Sequence, residues 1–144
     1  MGILRLLLIG ILSLSVANAE LYRELRMKHH QSGLPLAMMQ VGEEQVKVEL
    51  AESDEAQIRG LMERRILPRN MGMLFLFKEE KPRSFWMKNT KIPLDIIYID
   101  GEGVIVDIVY AEPCLADPCP SYPSRKPAQY VLEINGGLAE EFGV

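Results

Sequence analysis

Met73-Leu74-Phe75-Leu76-Phe77 is an unbroken apolar run, and it limits the fold more than any other stretch. Five residues are too few for a buried helix but suit a strand. Successive strand side chains point to opposite faces, so Met73, Phe75 and Phe77 are predicted on one face and Leu74 and Leu76 on the other. Both faces must then be covered, which puts this strand in the middle of a layered sheet. The flanking segments read as further strands. Val46, Val48 and Leu50 alternate with Lys47 and Glu49, the pattern of a strand with one wet face. Ser84 to Lys88 places Trp86 and Lys88 on one side, Phe85 and Met87 on the other. Leu94–Ile99 and Val104–Val109 form a hairpin across Asp100-Gly101-Glu102-Gly103. Tyr130–Ile134 is a last strand, ended by Asn135-Gly136-Gly137. One helix is predicted, with Ser53 as N-cap and Asp54 and Glu55 in its first turn. Ile58, Leu61 and Met62 form its buried stripe, and Arg64 and Arg65 its last turn. Gly60 falls inside this helix, where close packing on a strand would account for it. The reading is mainly β: a sandwich or partly open barrel of about six strands with one short α-helix.

The N-terminus sets the compartment. Arg5 precedes the uncharged run Leu6–Val16, and Ala17-Asn18-Ala19 supplies small residues at a cleavage site. That order is a secretory signal peptide over residues 1–19, with an uncleaved anchor as the alternative. The run is shorter than the roughly 20 residues that span a bilayer, and no later run is long enough. Location is expected to be exported, periplasmic or extracellular. Residues 20–44 carry many charges with Ser32-Gly33 and Pro35 and no sustained period, so they read as a tether. Residues 45–144 read as one domain.

Cleavage would remove Arg5 and leave 15 basic and 20 acidic residues, a net charge of −5. An acidic domain is a poor partner for nucleic acid. Cys114 and Cys119 are the two cysteines. An oxidising compartment favours a disulfide between them, over a redox pair or a metal pair lacking further ligands. Ala111 to Ala128 holds five of the nine prolines and reads as a rigid, extended loop. The two histidines, His29 and His30, fall in the tether. Histidine-based nucleophilic catalysis and a histidine zinc site are therefore not expected in the domain. No phosphate-binding glycine motif is present, and no cofactor is expected.

Four blocks together resemble a known family: Gly60-Leu61-Met62 with Arg64; Gly72-Met73-Leu74-Phe75 with Phe77; Phe85-Trp86-Met87-Lys88-Asn89-Thr90 with Ile92-Pro93-Leu94-Asp95; and Tyr130-Val131-Leu132-Glu133 with Gly137. From Val46 to Val144 the chain resembles the bacterial and archaeal family of domain of unknown function 192. The resemblance implies a mainly β sandwich-type fold and no established activity. Glu63 departs from the family pattern, which has an aromatic residue there. The charge is expected to expose that turn or to pair with Arg59 or Arg64. Family members also continue into another strand, so the domain is expected to end one strand short, leaving an open edge.

The polar residues of these blocks suggest the site. Arg64, Lys88, Asn89, Thr90 and Asp95 would gather at one mouth of the sandwich, with Trp86 as a stacking surface. A guanidinium, an ammonium and an amide suit a small anionic or carbohydrate ligand. The competing reading pairs Asp95 with Arg64 or Lys88 inside the fold and leaves Asn89 and Thr90 as turn residues. A non-catalytic envelope binding or accessory domain is the leading function. A hydrolase of envelope carbohydrate using Asp95 and Glu133 is the alternative, and Cu(I) held by Met62, Met71, Met73 and Met87 a lesser one.

Overall fold

The computed structural model describes residues 32–144. The expected signal peptide, His29 and His30 lie outside the described residues. The eight strands are β1 (Leu36–Val41), β2 (Glu44–Ala51), β3 (Met71–Lys81), β4 (Ser84–Trp86), β5 (Leu94–Ile99), β6 (Ile105–Ala111), β7 (Ser121–Pro123) and β8 (Ala128–Asn135). Two short helices, α1 (Asp54–Arg59) and α2 (Leu138–Glu141), complete the described residues. Six strands form a mixed sheet in the order β1-β2-β3-β8-β5-β6, and β4 pairs with β7 in a separate two-stranded sheet. Only β2 and β3 run parallel; the other pairs are antiparallel.

Alternation sorts the core into two layers. Leu74, Ile97, Ile99, Leu132 and Ile134 face one side, where α2 adds Leu138 and Ala139. Met73, Phe75, Ile96, Tyr98 and Val131 face the other, with Leu61, Leu67 and Met87 above them. The expected split of β3 is therefore the observed one. The small β4–β7 sheet covers this second face. The Phe85 ring stands edge-on to Phe75 at 5.0 Å, and the Tyr98 hydroxyl donates to the Tyr122 carbonyl. Among the described residues the fold is mainly β in layers, with no closed barrel.

Three sequence expectations need correction. Leu36–Val41, assigned to the tether, is an edge strand of the main sheet, so the domain begins before residue 45. Met39 and Val41 are buried while Met38 points out. The alternation is real but short, and Ser32-Gly33 and Pro35 obscured it. Pro-rich Ser121–Pro123, read as loop, is β7, a three-residue strand in which proline is tolerated at the end. The helix stops at Arg59, not after Arg65. Ser53 caps it as expected, its hydroxyl accepting from the Ala56 N–H at 3.2 Å. Gly60 then turns left-handed at φ 47°, and a Cβ there would sit 3.3 Å from the Phe75 ring. The glycine does pack closely on a strand, but it ends the helix and leaves Ile58 exposed.

Candidate functional site

Ending α1 early creates the site. Leu61 is buried as the chain leaves the helix, and residues 62–66 cross the surface as a turn. Glu63 has φ 63°, a left-handed conformation costing roughly 1–2 kcal/mol for a residue with a Cβ. Its N–H donates to the Asn89 carbonyl at 2.7 Å. Asn89, itself at φ 57°, is at the turn after β4, where left-handed asparagine is well tolerated. The 62–66 and 88–91 turns are thus fastened together. Glu63 is exposed and its carboxylate lies 3.7 Å from Lys91 Nζ, a pairing other than the expected Arg59 or Arg64.

Beside this junction is an open groove of about 550 Å³. Arg59, Arg64 and Arg65 line it together with Met62, Ile66 and Pro68, and Ser32 and Glu63 border it. Arg64 is committed below. Its Nη2 meets Glu49 Oε2 at 2.5 Å, and Ser32 Oγ donates to the other oxygen of Glu49 at 3.1 Å. Glu49 is fully buried, and a buried carboxylate requires such partners. Arg59 and Arg65 are exposed and make no ion pair among the described residues. The groove therefore presents two available guanidinium groups over an apolar floor.

The expected site residues separate into three groups. Arg64 lines the groove. Trp86 and Lys88 lie beyond the shared junction, Nζ of Lys88 sitting 5.4 Å from the indole ring centre and 3.9 Å from Asp117 Oδ1. Asn89 and Thr90 make the connecting turn: Thr90 is buried, and its N–H donates to the Met87 carbonyl at 3.1 Å. Asp95 is elsewhere. It shares the α2 side of β5 with Ile97, and its Oδ2 accepts from the Ala139 N–H at 2.8 Å. That bond satisfies one of the free amides at the start of α2. The two expected ion pairs of Asp95 are also absent among the described residues. Arg59 and Arg65, which lay outside the chosen blocks, complete the groove. Their signal was the cluster of arginines on either side of Gly60, masked by reading Arg64 and Arg65 as the last turn of one continuous helix.

Glu133 is on the opposite side of the sheet from Asp95. It pairs across β8 with Met73 and Ile96, beside Val131. A carboxylate pair facing one open cleft is therefore not formed by these two residues. Glu133 is buried and has no hydrogen-bond partner among the described residues. Burial raises its carboxyl to about 8, so it is protonated at neutral pH. Met71, Met73 and Met87 are buried in the same layer, whereas Met62 lies in the groove. The first three pack as ordinary core side chains. Cys114 and Cys119 form the expected disulfide, their Cα atoms 5.5 Å apart.

Residues 37–144 match the family profile described as Uncharacterized ACR, COG1430, the domain of unknown function 192. The chain belongs to this family. The match takes in β1, which the sequence resemblance left out. No curated protein matches the chain. A protein of unknown function from Novosphingobium aromaticivorans has a similar solved structure, with 36% identity over 81% of this chain and 84% of that one, at a TM-score of 0.74. A protein from Sinorhizobium meliloti, described as a proposed transcription regulator, is 40% identical over 69% of this chain and 76% of that one, at a TM-score of 0.65. Neither relative supplies the family with an activity.

Proposed function

We propose that this family member is an exported, non-catalytic binding or accessory domain of the cell envelope. It holds a small anionic ligand, such as a phosphate or a sugar acid, in the groove beside the 62–66 turn. The supporting observation is the pair of exposed guanidinium groups, Arg59 and Arg65, flanking Arg64 in an open groove of about 550 Å³. That volume falls within the usual range for small-ligand sites. Guanidinium forks bind carboxylate and phosphate oxygens with two parallel hydrogen bonds. Arg64 positions the floor through Glu49, and Trp86 with Lys88 extends the surface for the sugar ring of a larger ligand. The disulfide is compatible with export. Among the described residues, no helix is long and apolar enough to cross a membrane. A net charge of −4 argues against nucleic-acid binding by this chain, so the transcription-regulator description of the S. meliloti relative is not carried over.

The test is a thermal-shift screen of the protein as expressed against inorganic phosphate, citrate, glucuronate and galacturonate. Ligand present at about 100 times its dissociation constant stabilises by roughly 2.7 kcal/mol, a readily measured rise in Tm. The expected result is stabilisation by at least one anion that Arg59→Ala and Arg65→Ala each abolish. No response to any anion, or a response that both variants retain, refutes the proposal.

A further inference from the structure

The disulfide loop is shaped to project. Leu115 at its tip is 96% exposed, with Glu112 and Asp117 also exposed near it. An apolar tip beside acidic groups is the inverse of the groove, where Arg59 and Arg65 surround Met62 and an Ile66 that is 80% exposed. The loop is also held in place. The Cys114–Cys119 bond closes it, and downstream Arg125 Nη2 lies 2.7 Å from Asp107 on β6. A segment ordered beforehand loses less entropy when it binds.

Knob and groove meet at one turn. Lys88 reaches Asp117 of the knob, and the next residue, Asn89, accepts the hydrogen bond from Glu63 on the groove rim. Both elements therefore lie around one turn. A two-fold interface uses the same surface on each copy, so a single such interface at this turn would serve both elements. We propose that the chain forms a two-fold dimer in which the disulfide knob of each copy occupies the arginine groove of the other. Leu115 would cover Met62 and Ile66, and Asp117 would exchange its loose, exposed contact with Lys88 for Arg59 or Arg65. Exposed pairs near 4 Å contribute little, so the exchange gives up almost nothing. The proposal shares the cationic groove with the functional reading above. It adds that a small anion and the partner's knob compete for it.

Sedimentation velocity on the protein as expressed, over an about hundredfold concentration series, tests this. A monomer–dimer equilibrium is expected, weakening as salt rises from about 0.05 to 0.5 M. Asp117→Lys and Arg65→Glu should each weaken it by about tenfold or more. Combining both substitutions in one chain should restore it, because each reversed knob then meets a reversed groove. Leu115→Ser should abolish the dimer yet keep the anion-induced thermal shift. A monomer at every concentration, a dimer that salt strengthens, or one indifferent to both charge reversals overturns the proposal. Loss of the dimer with the anion response intact leaves the binding function standing, and a dimer without any anion response does the reverse.

Discussion

Glu133→Gln should make the protein more stable at neutral pH, and the gain should vanish in acid. The unfolded chain releases the Glu133 proton near its ordinary value of 4.5, whereas the folded chain holds it until about 8. Folding between those limits must therefore take up a proton. Stability from this group is greatest below pH 4.5 and falls as pH rises through the window, by up to about 1.4 kcal/mol per pH unit. At pH 7 the accumulated penalty is about 3 kcal/mol, and it reaches about 5 kcal/mol above pH 8. Glutamine keeps the shape and a polar group but does not ionise. The variant should match the parent near pH 4.5 and exceed it by about 3 kcal/mol at pH 7, or roughly 10 °C in Tm for a domain of this size. Urea denaturation followed by circular dichroism at pH 5, 6 and 7.5 measures the difference directly. Subtracting variant from parent cancels groups common to both, including Asp107. Burial would raise Asp107, but hydrogen bonds from the Arg125 side chain and backbone outweigh it and hold it low, so its contribution is lost only on acidification. A parent whose stability is flat or rising from pH 5 to 7.5, with the variant running parallel, would show that Glu133 is not a buried neutral acid.

The remaining predictions separate support from binding. Arg64→Ala strands the buried Glu49 carboxylate with weaker partners and should cost about 3 kcal/mol in urea denaturation, of which Arg64→Lys should recover part. Asp95→Ala leaves the Ala139 N–H without its acceptor and should cost about 1–3 kcal/mol. It should also leave the anion-induced thermal shift unchanged, and loss of that shift would return Asp95 to the site.

The sequence carried the layering because each central strand announces its two faces. Met73 to Phe77, Leu94 to Ile99 and Tyr130 to Ile134 all sort as alternation requires. A charged residue within such doubly covered runs was itself a readable sign of a buried acid, and both Asp95 and Glu133 are buried. What alternation within one strand does not give is the register between strands. Asp95 stands opposite Ile134, and Glu133 opposite Ile96, so these two carboxyls take opposite faces. No property of either segment alone states that. The groove was missed for a local reason. A helical stripe through Ile58, Leu61 and Met62 is a fair expectation until Gly60 adopts φ 47°. The chain then bends, Leu61 stays buried, and the arginines that a longer helix would have spread around its last turn are gathered on a single turn.

The strand order has a consequence for how such a chain is made. β8 lies between β3 and β5, although it is the last strand in sequence. A ribosome delivers the chain N-terminus first. The unit β1-β2-β3 and the β5–β6 hairpin are then both complete before the piece that joins them exists. Each holds an open margin until residue 135 has emerged, and the sheet closes only once β8 can enter between them. Such a topology delays closure until β8 is made, and until then leaves two unpaired strand margins that other extended chains could join.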